Sequence, residues 1–250
     1  MDFFVLTIVG LIGILVGFAV GLTNGGGGLI SIPLLILLGL PPQIAVATDR
    51  FGSLGYAASS TYKFLKSRKI VFSYILPLAI ISSIGGLIGA KILIDIDKAL
   101  LVKIIGIAIA LLLPLVFLKK DAGIEKKKTG SKKMLFAGFL LYFLIAVYDG
   151  FLGAGAGFLI AYLFIFVFGL TYIEANATEK IPFLFNAIVS ISVFVGHHII
   201  NYPFGIAMMA GTLIGGYIGA NTAVKRGDKF VRIAFIIIVV VSEIKFIFFS

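Results

Sequence analysis

The sequence repeats itself at a fixed offset of 130 residues, without a gap from the first matched block to the last. The matched positions are mostly small or apolar: Gly25, Gly27, Leu29, Ile30, Gly39, Leu40, Ala45, Ala47 and Thr48 recur as Gly155, Gly157, Leu159, Ile160, Gly169, Leu170, Ala175, Ala177 and Thr178. The block Gly-Gly-Leu-Ile-Gly-Ala at 85–90 returns at 215–220 as Gly-Gly-Tyr-Ile-Gly-Ala. Whatever structure the first half adopts, we expect the second half to adopt it too.

Composition assigns both copies to a membrane. Hydrophobic residues make up 60% of the chain and charged residues 13%, and the mean hydropathy is +1.17. A water-soluble domain of 250 residues could not bury so much apolar surface. The absence of cysteine excludes disulfides and thiolate metal sites. The net charge of +10 does not indicate nucleic-acid binding, because the basic residues cluster in short loops that set orientation in a membrane.

Five apolar runs in each half predict an all-α polytopic membrane protein of about ten helical segments. The runs are 3–22, 29–40, 43–62, 70–94 and 99–118, then 134–152, 158–170, 173–195, 203–224 and 230–249. The second run of each half is too short to span, at roughly 18 Å as a helix, and it follows a glycine-rich break. We therefore expect V-shaped or re-entrant short helix pairs, whose tips must be buried in protein or face a water-filled cavity.

Three basic loops determine the expected orientation. They are 63–69, 119–133 and 225–232, and the positive-inside rule places all three in the cytoplasm. The opposing loops, 95–98 and 196–202, have almost no positive excess. If the apolar runs cross the membrane so that these three loops are cytoplasmic, both termini lie outside the cell and the two halves are antiparallel. The charge pattern thus predicts two inverted repeats independently of the sequence match.

The predicted organisation is a first repeat over 1–118, a basic cytoplasmic linker over 119–133 and a second, inverted repeat over 134–250. The linker carries seven lysines against Asp121 and Glu125. A solvated loop is the expected structure for such a segment, and contact with lipid headgroups is the alternative.

Charged residues inside apolar runs are costly and point to function. Thr48-Asp49-Arg50 in the first half matches Thr178-Glu179-Lys180 in the second, so that hydroxyl, acid and base recur in order. We expect both sets to face one cavity at the membrane midplane. Arg50 and Lys180, with the two threonines, are candidate substrate ligands, and Asp49 and Glu179 are candidates for carrying a coupling proton. Structural ion pairs between these acids and bases are the alternative.

The two glycine-rich breaks are the other candidate site. Asn24, Gly25, Gly26, Gly27 and Gly28 form the first, and Gly153, Ala154, Gly155 and Gly157 carry the second. A helix that begins at such a break presents unpaired N–H groups and a positive dipole end, and glycine lets an anion approach them closely. Close helix packing is the alternative use of these glycines.

A polar helical face continues from the charged sets. Asp49, Ser53, Tyr56 and Ser60 are spaced as one face of a helix, and Glu179, Phe183, Asn186 and Ser190 are their counterparts. Asn186 is therefore a further substrate-binding candidate. Asp149 precedes the second break without an acidic partner in the first half, where Ala19 is equivalent. It is expected to cap a helix or ionise near the cavity.

Neither enzymatic chemistry nor a cofactor is expected. The sequence has no nucleophile–base arrangement and no HExxH pattern. His197 and His198 are adjacent, so their side chains would point in different directions on a helix, and we expect no metal site there.

The chain resembles the TauE/SafE family of sulfite exporters and related anion transporters. The resemblance rests on 21–33 (Gly-Leu-Thr-Asn-Gly-Gly-Gly-Gly-Leu-Ile-Ser-Ile-Pro), on 38–48 (Leu-Gly-Leu-Pro-Pro-Gln-Ile-Ala-Val-Ala-Thr), on the basic turn near Lys69 and on the repeated glycine blocks. It implies two inverted halves and the movement of sulfite, sulfonates or similar anions across the plasma membrane. Where the family usually has small or hydroxyl residues after the first threonine, this chain has Asp49-Arg50, and in the second half Glu179 precedes Lys180. Such an acidic lining suits a coupling proton, or a substrate other than a simple anion.

The function predicted from the sequence is secondary transport of a small sulfur-containing anion at a midplane site, in a multi-pass protein of the plasma membrane. The expected partners are this anion, the lipid bilayer and protons, and no nucleic acid. A passive anion channel with the same lining is the alternative, and a membrane scaffold without a solute is a third possibility.

The first prediction concerns topology. Because the natural chain has no cysteine, single cysteines at positions 2, 127 and 250 can be labelled without background. Position 127 should react only after the membrane is permeabilised, whereas positions 2 and 250 should react with an impermeant maleimide from outside. Labelling of the two terminal cysteines from opposite sides would contradict the antiparallel halves.

Overall fold

The computed structural model describes residues 3–25, 27–104, 123–126 and 130–237. These residues form ten α-helices and one short 3₁₀ helix, and no strand occurs among them. The α-helices are α1 (Phe3–Thr23), α2 (Gly27–Leu37), α3 (Pro42–Lys66), α4 (Ile75–Asp95), α5 (98–104), α6 (Lys132–Phe151), α7 (Ala156–Phe166), α8 (Tyr172–Gly196), α9 (Tyr202–Arg226) and α10 (228–237), and the 3₁₀ helix Phe72–Tyr74 leads into α4.

Five helical segments in the described part of the chain are long and apolar enough to span a membrane: α1, the unit Phe72–Asp95, α6, α8 and α9. Large apolar side chains cover their outer surfaces, as at Leu15, Leu76 and Phe136, which are about 70% exposed or more (68%, 72% and 75%). Such surfaces require lipid rather than water around them. The expectation of an all-α polytopic membrane protein is confirmed.

The glycine-rich breaks separate a long helix from a short one in each half, as the sequence predicts. The short helices α2 and α7 have 11 residues each, which is roughly 16 Å and too short to cross a bilayer. Most of the predicted run 99–118, part of the linker 119–133, the end of the run 230–249 and Gly26 lie outside the described residues.

The two halves form corresponding helices in the same order, at offsets equal or close to that of the sequence repeat. Helices α3 and α8 both have 25 residues, and their first and last residues are 130 positions apart. Each follows a glycine with positive φ, Gly39 or Gly169, and each is followed by a residue in the left-handed region, Arg68 or His198. The starts differ chemically: Pro42 occupies the first turn of α3, whereas Thr171 and Glu174 close a capping box on α8.

Small residues let the long helices pack closely in two groups. In the first group α1 and α3 both pack along α9, and a Cβ at Gly17 or Gly55 would collide with the α9 backbone. In the second group α6 and α8 both pack along α4, where Gly89 lies against the α6 backbone in the same way. Each group therefore contains helices from both halves.

Four hydrogen bonds between neighbouring helices of the same group form two matched pairs. In the first pair, Ser60 Oγ donates to Gly216 O at 3.0 Å and Ser190 Oγ donates to Gly86 O at 3.2 Å. In the second pair, Asn201 N donates to Thr48 Oγ1 and Val71 N donates to Thr178 Oγ1, both at 3.0 Å. The equivalent residues of each pair are 130 positions apart. Every one of these bonds joins a residue of one half to a residue of the other. Reciprocal contacts of this kind are what a two-fold relation between equivalent units produces.

The direction of α8 relative to α3 follows from one of these bonds. Helix α3 ends at Lys66, and five residues later Val71 N–H donates to Thr178 in the second turn of α8. The carboxyl end of α3 and the amino end of α8 thus lie on the same side, and the two helices run antiparallel. They contact each other at the centre of the protein, where Tyr56 and Phe183 stack with ring centroids 5.5 Å apart.

The second prediction tests the equivalence of the matched bonds. Ser60→Ala and Ser190→Ala each remove one buried hydroxyl-to-carbonyl bond, so each should destabilise the protein by about 1 kcal/mol. Ser192→Ala is the control, because its exposed hydroxyl bonds only within its own helix. Thermal unfolding in detergent measures all three. A loss at only one of the two buried serines would contradict equivalent roles.

Candidate functional site

A cavity lies where the two glycine-rich breaks approach α3 and α8. The residues that line it come from both halves and are Val20, Asn24, Gly25, Gly27, Gly28, Tyr56, Asp149, Gly153, Gly155, Gly157, Ile160, Glu179, Lys180 and Phe183. Its volume is about 30 Å³, enough for roughly two water molecules. In this conformation the cavity is a small chamber in which charged side chains lie among an otherwise largely apolar lining.

The two breaks contact each other directly, and glycine makes this possible. A Cβ at Gly157 would collide with the main-chain oxygen of Asn24, and a Cβ at Gly25 would collide with the Phe158 ring. The Asn24 side chain adds a bond across the contact, from Nδ2 to the Gly157 oxygen at 3.2 Å. Any larger residue at these glycines would separate the two breaks.

The second break presents fewer free N–H groups than the sequence suggests. Gly153 and Gly155 have φ values of 73° and 78°, and these left-handed turns fold the chain back on itself. As a result Ala156 N donates to Gly153 O at 3.2 Å and Phe158 N donates to Gly155 O at 3.0 Å. An anion at this break would have to use the remaining amides of the first helical turn.

Lys180 brings a positive charge to the cavity. Its side chain is 1% exposed, and Nζ donates to Asn24 Oδ1 at 2.7 Å and to Val20 O at 3.3 Å. The ammonium also lies 5.5 Å from the centre of the Tyr56 ring. All of these partners are neutral, and no carboxylate oxygen lies within 4 Å of Nζ among the described residues.

Arg50, the counterpart of Lys180, is engaged differently. Its guanidinium pairs with Asp149 from the other half at 3.2 Å, and both side chains are buried. It also lies over the Phe183 ring at 5.2 Å and beside Gly153, behind the second break. Arg50 itself does not line the cavity. Its charge is balanced, so its first effect is to hold α3 against α6.

Glu179 is a cavity acid without a cationic partner. It is 2% exposed, and its carboxylate accepts a hydrogen bond from Tyr142 Oη at 3.2 Å. No side-chain nitrogen of a lysine or arginine lies within 4 Å of it in the part of the chain that the structure describes. Tyr142 Oη is also 3.4 Å from Ser82 Oγ, so the acid belongs to a small buried hydroxyl network.

Asp49, the counterpart of Glu179, faces away from the cavity. It is half-buried and accepts a hydrogen bond from Ser31 in α2. The structure therefore separates the two proton-carrying candidates, because only Glu179 lines the chamber.

Several other candidates from the sequence bond elsewhere. Thr48 and Thr178 accept the main-chain N–H groups at the starts of the opposite half's helices. Asn186 donates to Ser82 O and Ala146 O, both at 3.0 Å, and so joins α8 to α4 and α6. Ala154 is buried at the contact between the breaks. In this conformation none of these four lines the cavity.

Tyr142 is a candidate site residue that the sequence patterns above do not single out. It lies fully buried on α6, seven residues before Asp149, and Ile145 and Ala146 are buried between them. This spacing of three and four residues defines one face of a helix. A polar position in that register, followed by an intramembrane acid, is the signal that could have found it.

Long apolar helices around a chamber at two helix breaks define a multi-pass membrane protein with an internal polar site. A sequence model of the sulfite exporter TauE/SafE family matches residues 9–246. The chain belongs to this family of membrane transporters.

Relatives across bacteria carry the same designation. A probable membrane transporter protein of Haemophilus influenzae is 31% identical over 83% of this chain and 81% of its own length. Probable membrane transporter protein YfcA of Escherichia coli is 25% identical over 90% of this chain and 84% of its own. YunE of Bacillus subtilis, described in the same words, is 31% identical over 92% and 91%. These names favour transport over catalysis. No solved structure matches the chain significantly.

The third prediction concerns the contact between the breaks. Gly157→Ala adds a Cβ at a position that the main-chain oxygen of Asn24 already occupies, so the breaks must separate. Overpacking of this kind lowers the stability of the fold by about 1–3 kcal/mol. Gly196→Ala, at the open end of α8 where nothing lies within 4 Å of the new Cβ, should change stability by less than about 0.5 kcal/mol. Thermal unfolding compares the two. Equal stability of both variants would show that the breaks do not depend on this contact.

Proposed function

We propose that this protein is a secondary transporter of a small sulfur-containing anion, such as sulfite or a sulfonate, and that the anion binds in the chamber between the glycine-rich breaks. The observation that carries the proposal is the buried ammonium of Lys180. All direct contacts of this charge are neutral groups, so no carboxylate occupies the place beside it that an anion could take. A small anion in the chamber would supply the missing partner.

The binding groups that we propose are Lys180, the Asn24 amide and the free main-chain amides at the starts of α2 and α7. The partial positive charge at a helix start adds to that of the lysine. Gly25, Gly27, Gly28, Gly155 and Gly157 would let the anion reach the backbone. Arg50 acts through Asp149, so its role is to position the second break.

The repeat structure supplies the transport mechanism that we propose. Residues 1–118 and 134–250 would be inverted repeats joined by a cytoplasmic linker at 119–133, with both termini outside, in the plasma membrane. The antiparallel course of α3 and α8 and the matched hydrogen bonds between the halves support this arrangement. In such proteins the substrate site lies at the repeat interface, near the midplane.

The size of the chamber favours a carrier over a channel. A passive pore needs a continuous wet path, whereas this chamber has a volume of about 30 Å³ and is covered by two breaks in direct contact. A solute larger than about two waters requires the breaks to separate before it can enter. Coupling of binding to such a rearrangement is characteristic of alternating access.

Counterflow in proteoliposomes tests this function. Vesicles loaded with unlabelled sulfite should accumulate radiolabelled sulfite against its gradient, because a carrier exchanges solute through one saturable site. Protein-free vesicles and vesicles with the Gly157→Ala variant are the controls. Labelled sulfite that only equilibrates, without saturation, would identify a channel, and no flux for any sulfur-containing anion would reject the proposal.

The fourth prediction separates the two buried cations. Lys180→Gln should weaken anion binding by about 1–3 kcal/mol, the size of a charge-assisted contact, while the protein stays folded because its partners are neutral. Arg50→Gln should instead destabilise the fold by about 3–5 kcal/mol, since Asp149 is left unpaired. Isothermal titration with sulfite and thermal unfolding measure the two effects.

The double variant Arg50→Gln/Asp149→Asn completes the test. Removing both charges should restore stability, and anion affinity should return with it. An affinity that stays low in this stable double variant would make Arg50 a direct ligand, and an unchanged affinity in Lys180→Gln would exclude the lysine.

A further inference from the structure

Two opposite charges share the chamber without pairing with each other. Lys180 and Glu179 both line it, they are consecutive in the chain, and their charged groups lie more than 4 Å apart. The Asp149 carboxylate also lines the chamber, but Arg50 balances it. The charged lining is therefore neutral as long as Glu179 is ionised and no anion is present.

An anion changes this balance. Once it binds at Lys180, the Glu179 carboxylate and the anion are like charges in one small chamber, and such pairs repel strongly at low dielectric. We propose that each anion enters together with one proton, that this proton resides on Glu179, and that Tyr142 positions the acid in both of its states. This inference rests on the proposed anion site.

The surroundings of Glu179 support its choice as the proton carrier. The charged and titratable groups around the chamber are Lys180 on the same helix as Glu179, Asp149 and Tyr142 on α6, Tyr56 on α3 and, behind Asp149, Arg50. The Asp149 carboxylate already pairs with Arg50. Of the two carboxylates that line the chamber, Glu179 is the one whose side-chain partner within the described residues is a neutral hydroxyl, that of Tyr142.

The Tyr142 hydroxyl can serve the acid in either state. When Glu179 is ionised, Tyr142 Oη donates to it at 3.2 Å. When Glu179 is protonated, the new O–H can donate to Tyr142 Oη, and the tyrosine can turn its own hydrogen toward Ser82 Oγ, which is 3.4 Å away. The network thus keeps every buried hydrogen-bonding group satisfied on both sides of the proton step.

The coupling has a defined thermodynamic sign. Because the anion favours the protonated acid, the protonated acid favours the anion by the same factor. Anion affinity should therefore be highest at low pH and fall by up to about tenfold per pH unit once Glu179 ionises. A monovalent anion and its proton would cross without net charge, so that a proton gradient could drive the anion.

Calorimetry on the purified full-length protein tests the fifth prediction. The probe is methanesulfonate, which stays a monoanion from pH 5 to pH 9 and so contributes no proton of its own. Titrations in buffers of different ionisation enthalpy should show the wild type taking up about one proton per anion on the alkaline side of its pH profile. Glu179→Gln should bind methanesulfonate with the affinity of the acidic wild type at every pH and take up no proton.

Two further variants complete the design. Tyr142→Phe should retain binding but shift the pH at which affinity falls, which a purely structural role would not do. Asp95→Asn, at the exposed end of α4, is the control and should retain the proton uptake of the wild type.

The outcomes separate this inference from the function on which it rests. Wild-type binding without proton uptake would overturn the inference and leave the anion site standing, and proton uptake that persists in Glu179→Gln would assign the proton to another group. Wild-type protein that binds neither methanesulfonate nor sulfite at any pH would reject the proposed function itself. If Glu179→Gln does not fold, an unshifted pH profile in Tyr142→Phe overturns the assignment.

Discussion

The contact between the two glycine-rich breaks is the constraint on which the site depends. Asn24 makes it, because its main-chain oxygen fills the place of a side chain at Gly157, its amide nitrogen bonds the Gly157 oxygen and its amide oxygen holds Lys180. One residue with φ of 68° therefore fixes the breaks to each other and the buried cation to both. A ligand that draws Lys180 away from Asn24 would loosen the same amide that joins the breaks. Binding and opening are in this way linked through a single side chain.

The site breaks the symmetry that the rest of the chain keeps. Asn24 is matched by Ala154, and Asp149 by Ala19. The two buried cations therefore have different kinds of partner. Arg50 has a carboxylate and becomes part of the scaffold, whereas Lys180 has an amide and a carbonyl and keeps its charge available. The helices and the hydrogen bonds of Ser60 and Ser190 are equivalent in the two halves, because both halves pack in the same way. A small chamber needs only one cation for one anion, and asymmetric partners provide it.

Much of this arrangement could be predicted from the sequence, and the remainder depends on side-chain direction. Hydropathy and the placement of the glycines predicted the long and short helices. Main chain in a membrane must form helices except where protein or water supplies its hydrogen bonds. Spacing placed Tyr56 and Glu179 on a polar face correctly. It could not show that Asp49 turns toward Ser31 while Glu179 faces the chamber, because equivalent positions meet different neighbours. Nor could it show that Thr48 and Thr178 bond helix starts, since a hydroxyl in a helix pattern suits both a ligand and a main-chain partner.

The packing also indicates which parts could move. Close glycine contacts bind α1 and α3 to α9, and α6 and α8 to α4, so each tightly packed group combines helices of both halves. Between the groups, α3 meets α8 in the stack of Tyr56 on Phe183, and α3 meets α6 in the ion pair from Arg50 to Asp149. Rings can slide over each other at little cost, whereas backbone contacts at glycine cannot be shifted without a clash. A rocking motion would therefore open the protein along α3 and α8, and that boundary is where the chamber and the Lys180 ammonium lie.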